Sequence, residues 1–397
     1  ESYQERYGAV ILSRDTTPCW IVLGKAEDLE QQVRSCQQAV SAVRGQLRTV
    51  KRPTQEGSSA EALEPGLRAL YDSLWAPLEK SLPAGTRTVI LSLDGELNFV
   101  SWASLLTPED RFLAQQYELL FVSSGRDLLK SVKAPGALQA MALGDAAFSG
   151  VPAVMASKLG PASGSALAAS GFAQRGGLVP PEQQEFQGIQ LASLPGTRAE
   201  VDGLEALLKE AGWKVEMAQG PGASEAWVRS ARSPRVLHLA THGFFLPIEQ
   251  MAPPDRLLRG EGLATMGKRF VNPMQRSGLA LTGAQTTFDA WKRHETPAAH
   301  RDNDGVLTAD EAGTLDLSGT WLVCLSACET AQGEARAGEG VLGLRRGFVQ
   351  AGARNLLMTL WSVADDETAR FMADFYRAAL ADGKAPAALA RVQRDWL

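Results

Sequence analysis

Val236-Leu237-His238-Leu239-Ala240-Thr241-His242-Gly243 and Trp321-Leu322-Val323-Cys324-Leu325-Ser326-Ala327-Cys328-Glu329-Thr330 decide the reading of this chain. Each starts as a short apolar run and ends in reactive side chains. Apolar runs of this length, bounded by loops, read as strands buried on both faces of a parallel sheet. The strands are expected over Arg235–Ala240 and Thr320–Leu325, with His242 and Cys328 just past their carboxyl ends. In open α/β sheets that edge is where ligands bind. An imidazole and a thiol at two such ends therefore mark one place in the molecule.

Working outward, strands alternate with helices. On the C-terminal side come a helix over Gly340–Ala351, a strand over Asn355–Leu360 and a helix over Asp366–Leu380. On the N-terminal side, Leu138–Leu143 and Lys214–Met217 read as strands, and Pro195–Ala211 and Ser224–Ala231 as helices. Thr197 followed by Glu200 has the spacing of a capping box. Earlier still, Ala9–Ser13 and Cys19–Leu23 flank a turn, and Ala26–Lys51 carries one apolar stripe at spacings of three and four. Ala60–Leu82 reads as a helix broken late by Pro77, and Thr88–Leu93 and Tyr117–Val122 as strands. The alternation gives an α/β fold with a mostly parallel sheet flanked by helices. A new unit begins near Ala137, which divides the chain into residues 1–135 and 136–397. Two segments, Ser149–Gln190 and Phe245–Val306, are long, polar and loop-like.

Bulk properties narrow the function. The chain has 397 residues, 45% of them hydrophobic, and a formal net charge of −5. No Lys/Arg block stands out, which argues against direct nucleic-acid binding. The longest apolar runs, such as Asn355–Val363, fall well short of the ~20 residues that cross a bilayer. The first ten residues are polar and of mixed charge, unlike a secretory signal. Four cysteines, Cys19, Cys36, Cys324 and Cys328, do not make a disulfide scaffold and fit a reducing, cytoplasmic setting. No pair at metal-ligand spacing accompanies them, so no metal or cofactor is expected. The chain opens on Glu1, which reads as a boundary within a longer protein.

A thiol attacks a carbonyl when a base or proton donor is near and an anion-stabilising pocket receives the oxygen. His242 is suited to deliver the proton to the leaving amine. The backbone N–H groups at Gly243 and Cys328 are candidates for the oxyanion hole. The competing explanation is structural: a cysteine after an apolar strand is commonly a small buried residue. His238 and Cys324 lie inside the two strands and are expected to do no chemistry. The residues alone leave both explanations of His242 and Cys328 open.

The surrounding blocks resemble the CHAT-domain peptidases, relatives of caspases and separase. The resemblance rests on Leu239–Gly243, Leu325–Thr330 and Asn355–Val363. It extends to Leu93-Asp94-Gly95-Glu96-Leu97, Leu194-Pro195-Gly196-Thr197, Ser277–Leu281, Asp304–Thr308 and Gly338–Gly352, nearly the whole chain from Ala9. It implies a caspase-like three-layer sandwich, with a degenerate first lobe over residues 1–135 and an active second lobe over 136–397. It implies His242 as general acid/base, Cys328 as nucleophile, and peptide-bond cleavage through an acyl-enzyme without a cofactor. It also implies an upstream helical-repeat region of the tetratricopeptide (TPR) type with a regulatory role. The partner is a protein substrate, in bacterial relatives a gasdermin-like pore former cleaved in defence.

The substrate pocket is less uniform. Several arginine-cleaving relatives carry Asp two residues before the cysteine, where this chain has Ser326. Trp361 to Asp365 resembles a Trp-x-Val-x-Asp stretch of separase-like pockets; Asp365 faces a basic P1 side chain there, or caps the last helix. A pocket lined by Trp361 favours a Leu- or Met-like P1. Gly338-x-Gly340-x-x-Gly343 lacks the preceding strand of a dinucleotide fingerprint. His300–Glu311 has the outline of a calcium loop through Asp302, Asp304, Gly305 and Glu311, but His300 stands where the first Asp belongs; a turn into a short helix capped by Thr308 is the plainer expectation. The alternative to a peptidase is a non-catalytic scaffold that keeps the fold and binds partners through its loops.

Overall fold

The computed structural model describes residues 4–14, 16–49, 62–129, 137–151, 190–245, 273–293, 295, 303–329, 337–359 and 365–397. Two compact units emerge: residues 1–130 with 378–397, and residues 131–377. The last helix therefore packs with the N-terminal unit although it follows the other in sequence.

In the first unit, β1 (Arg6–Ser13) and β2 (Thr16–Lys25) form an antiparallel hairpin that sets Val10 opposite Trp20 and Ile11 opposite Cys19. Side chains alternate across the strands. Ile11, Ile21 and Leu23 pack toward the unit's core, while Val10, Leu12, Trp20 and Val22 are exposed on the other face. Helix α1 (Ala26–Thr49) buries Leu29 and Val33.

The helix expected over Ala60–Leu82 is remodelled. It runs as α2 (Glu64–Leu70), widens into a π turn at Tyr71–Trp75, and resumes as α3 (Ala76–Glu79). Pro77 is the cause: it has no N–H and its ring crowds the carbonyl four residues back. Widening lets the Ala76 N–H donate to the Tyr71 carbonyl, and the turn delivers Leu74 and Trp75 into the core. Strands β3 (Thr88–Ser92) and β4 (Glu118–Val122) pair in parallel, with the short α4 (Leu113–Gln116) between them in sequence.

The second unit is built on a seven-stranded mixed sheet. Its strands are β5 (Gln139–Ala146), β6 (Lys214–Gly220), β7 (Val236–Phe245), β8 (Ser277–Ala280), β9 (Val306–Thr308), β10 (Leu322–Glu329) and β11 (Asn355–Met358). The order β11-β10-β7-β5-β6 is parallel throughout, and β8 and β9 add antiparallel at the far end of β7. On one face Leu237, Leu239, Val323 and Leu325 pack with Leu344 and Phe348 of α10 (Ala337–Gln350). On the other, His238 meets α5 (Pro195–Glu210) at Glu200 and α11 (Asp365–Asp382) at Tyr376. Helices thus cover both faces. The remaining helices are α6 (Glu225–Arg229), α7 (Pro273–Arg276), α8 (Ala284–Lys292), α9 (Ala309–Ala312) and α12 (Ala385–Trp396). The last of these packs against β4 and α4, within the first unit.

Three expectations are corrected. The two central strands do not stop at Ala240 and Leu325: β7 runs to Phe245 and β10 to Glu329. Pairing of His242–Phe245 with β8 prolongs the ladder. The segment Phe245–Val306 is not all loop, since it contains α7, β8 and α8; residues 246–272 of it lie outside the described residues. Thr197 is not the N-cap of α5. Leu194 holds that position and Pro195 opens the helix. Thr197 Oγ1 donates to the Leu194 carbonyl at 2.7 Å and accepts the Asp145 N–H at 2.8 Å, which leaves Glu200 for another role. Most of the expected loop Ser149–Gln190, residues 152–189, also lies outside the described residues.

Candidate active site

The site begins with register. Along β7 and β10, Cys324 pairs with His238, Ser326 with Ala240, and Cys328 with His242. Alternate residues share a face of a sheet, so the upper pair His242/Cys328 and the lower pair His238/Cys324 lie on one face. The sequence motifs thus meet residue for residue across adjacent strands. Gly243 is next in register to Glu329 on one side and to Leu279 on the other.

His242 is held firmly. Its ring is 96% buried and lies 5.0 Å from the Phe148 ring, centroid to centroid. Nε2 is 2.7 Å from the Ala192 carbonyl oxygen. A carbonyl only accepts, so Nε2 carries the hydrogen and the lone pair of the neutral ring sits on Nδ1. The preceding Thr241 turns to the opposite face and donates its hydroxyl to the Ala280 carbonyl, which ties β7 to β8. Ala192 belongs to the stretch just before α5, beside the Leu194–Thr197 block.

The lower pair is closed off. His238 is fully buried and Cys324 is 1% exposed. Burial pushes the Cys324 thiol up to about 12; a hydrogen bond with Tyr376 opposes this and the Glu200 charge adds to it. The Tyr376 phenol is raised well above its ordinary value, by burial first and then by Cys324 and Glu200. Both groups are therefore protonated donors at neutral pH. His238 Nδ1 lies 3.1 Å from the Tyr376 hydroxyl, and Nε2 lies 3.1 Å from Glu200 Oε1. The second contact is within ion-pair distance but too bent to count as a hydrogen bond. The other Glu200 oxygen accepts the Ser326 hydroxyl at 3.0 Å. Glu200 was not among the residues the sequence nominated for the site. The available signal was its position: Thr197, Glu200, Val201, Leu204 and Leu208 form the buried stripe of α5, and a carboxylate on an apolar stripe needs a buried partner.

Of the substrate-pocket residues, Ser326 is therefore committed to Glu200. Asp365 contributes the first residue of α11, and Trp361 lies outside the described residues. The stretch Gly338–Gly343 falls within α10 and is not a strand-to-helix turn. In the calcium-loop segment, His300 and Asp302 lie outside the described residues, as does His294. Thr308 caps α9 as expected: its Oγ1 accepts the Glu311 N–H at 3.2 Å, and Glu311 Oε2 accepts the Thr308 N–H at 2.9 Å. Glu311 Oε1 pairs with Arg229 at 3.1 Å, and Asp304 Oδ1 accepts the Val306 N–H at 2.9 Å. Among the described residues no group of three His, Cys, Asp or Glu side chains is arranged to hold a metal ion, and no helix is long and apolar enough to cross a membrane.

Comparison with known proteins identifies the family. The family model of the CHAT domain matches residues 64–397. Tetratricopeptide repeat protein 28 of Homo sapiens is 27% identical over 376 residues, which are 91% of this chain and 14% of that protein. Its Mus musculus counterpart is 26% identical over 378 residues, with the same two shares. The chain thus spans about 14% of the length of these relatives. Because the family match covers residues 64–397, well over half of the chain, the chain belongs to the CHAT domain family, of a cysteine-peptidase-like clan.

Proposed function

We propose that this chain is the peptidase part of a regulated cysteine endopeptidase that cleaves a specific protein partner. The observation that supports this most is the register of Cys328 with His242 on adjacent parallel strands, in a chain of the CHAT family. In this reading the Cys328 thiol gives its proton to His242 Nδ1 and the sulfur bonds to the scissile carbonyl carbon. The oxyanion is received by backbone N–H groups at Gly243 and Cys328. Collapse of the tetrahedral adduct breaks the C–N bond, and the imidazolium returns its proton to the departing amine. Water, activated by the same imidazole, then hydrolyses the thioester and restores the thiol. No cofactor takes part. The fold is caspase-like, with helical layers on both sides of the sheet and residues 1–135 as a degenerate first lobe.

Control comes from a TPR-type region upstream, a proposal drawn from the repeat-containing relatives. The setting is cytoplasmic and the substrate is a protein, such as a gasdermin-like pore former. Ser326 offers no charge to a P1 side chain and donates to Glu200, which favours a Leu- or Met-like residue over Arg or Lys; an Asp365 that reached the pocket would favour the reverse. The test is cleavage of a peptide library varied at P1, with the longer parent chain and its activating partners supplied. Fragments formed by the native protein and absent with Cys328→Ala are expected. Identical fragments, or none under any activating condition, would leave the non-catalytic scaffold as the better account.

A further inference from the structure

Beneath the candidate pair lies a buried carboxylate that the proposed chemistry does not use. Glu200 is 7% exposed, comes from α5, and reaches both site strands at once. On β10 it accepts the Ser326 hydroxyl at 3.0 Å. On β7 its other oxygen stands 3.1 Å from His238 Nε2. Ser326 precedes Cys328 by two residues and His238 precedes His242 by four, all on the same face. His238 Nδ1 in turn lies within hydrogen-bond distance of the Tyr376 hydroxyl, 3.1 Å away. Tyr376 is itself fixed in α11 among buried neighbours. The carboxylate is thus held by two strands and reinforced from a second helix.

A buried charge costs several kcal/mol unless it is paired and hydrogen-bonded. An apolar side chain on the α5 stripe would fill the space without that cost. The feature that an apolar residue cannot reproduce is a hydrogen bond to β10 together with a close polar contact to β7. We propose that Glu200 is a positioning residue: it clamps β7 to β10 just below the open end and thereby sets the distance and angle between His242 and Cys328. This rests on the peptidase reading given above. The physical requirement is strict, because reacting groups displaced by about 1 Å lose about two orders of magnitude in rate. Supports of this kind are what hold a site to that tolerance. The same link explains why the position two before Cys328 carries a serine hydroxyl: it donates to the clamp.

The experiment is site-resolved alkylation of Cys328 by iodoacetamide, a small reagent that needs no substrate pocket, followed by mass spectrometry alongside thermal unfolding. The wild type, His242→Ala, Glu200→Ala, Glu200→Gln, Ser326→Ala and the Glu200→Ala/Ser326→Ala double variant are compared. Loss of the clamp is expected to slow alkylation about tenfold in Glu200→Ala, and the double variant is no slower, since both changes remove one interaction. Glu200→Gln keeps an acceptor for Ser326 and presents a donor to the His238 tautomer whose Nε2 accepts, so it regains most of the rate. Wild-type alkylation rates in Glu200→Ala overturn the proposal. So do additive effects of Glu200→Ala and Ser326→Ala, or a loss that follows thermal stability and is not rescued by Gln. If His242→Ala leaves the rate of the wild type unchanged, the peptidase reading itself fails and the positioning role falls with it.

Discussion

His238 beside Cys324 and His242 beside Cys328 are the same two residue types, on the same two strands, on the same face, four residues apart. Their surroundings differ. The lower pair sits under α5 and α11, with Glu200 and Tyr376 against the imidazole and a thiol whose pKa burial raises to about 12. The upper pair sits where β7, still paired in parallel with β10, exchanges its β5 neighbour for antiparallel pairing with β8, and its imidazole donates to a backbone carbonyl from the segment before α5. A histidine and a cysteine in register are therefore not a nucleophilic site in themselves. The lower pair is buried beside one carboxylate and one phenol. The upper pair has its imidazole anchored through Nε2 to the Ala192 carbonyl.

The sharpest way to break the comparison is to remove each imidazole in turn. His242→Ala is expected to lower peptide cleavage and Cys328 alkylation by roughly 10²–10⁴-fold, the range for general acid–base catalysis, with a stability loss of about 1–3 kcal/mol for the stranded Ala192 carbonyl. Kinetics of the purified variants check this, and retention of the wild-type rate would make the two pairs equivalent. His238→Ala is expected to act on stability instead. It strands the Tyr376 hydroxyl and removes a polar neighbour of the Glu200 carboxylate, and leaving a buried polar group without its partner costs about 1–3 kcal/mol. Urea unfolding followed by fluorescence measures it; a loss below about 1 kcal/mol would mean that the lower pair is not a stabilising unit.

A second buried carboxyl sharpens the contrast from the acid side. Glu225, fully buried on α6, has its pKa raised to about 8 by burial and then by the charges of Glu311 and Asp304. Arg229, 2.7 Å from Oε1, opposes the shift without overcoming it, and Oε2 makes no hydrogen bond. Because the folded pKa lies above the unfolded value, this group's stabilisation is complete below about pH 4.5 and is lost as pH rises toward 8. Glu225→Gln is expected to remove that decline, so the variant gains on the wild type by a few kcal/mol between pH 5 and 9. Unfolding at the two pH values is the check, and parallel curves would refute it. The smallest effect is expected at Cys324→Ala: about 1 kcal/mol of stability for a small buried group, with the Cys328 alkylation rate within about twofold of wild type. A large kinetic loss there would merge the two pairs into one functional unit.

Much of this was legible in the chain. The apolar runs around His238 and Cys324, the hairpin, the stripe of α1 and the Thr308 cap all depend on neighbours within a few residues, and local periodicity reports them. The role of Glu200 was not legible as it was first read. Thr197 and Glu200 have the spacing of a capping box, yet Pro195 opens the helix, and the carboxylate turns inward to the sheet. The lengths of β7 and β10 were underread for a related reason: their last residues are polar or small, and pairing, not hydropathy, makes them strand. The π turn at Tyr71–Trp75 combines both, since Pro77 announces a break but not the form the break takes.

The sequence by itself determined that the two apolar runs carrying His242 and Cys328 are strands, because strand character is a local property. Only the tertiary structure decided that Cys328 stands in register with His242, that Ala192 takes one of the ring's nitrogens, and that Glu200 meets Ser326 across 126 residues of chain. Those contacts are long-range, and no periodicity within a window of the sequence encodes which carboxylate closes beneath which strand.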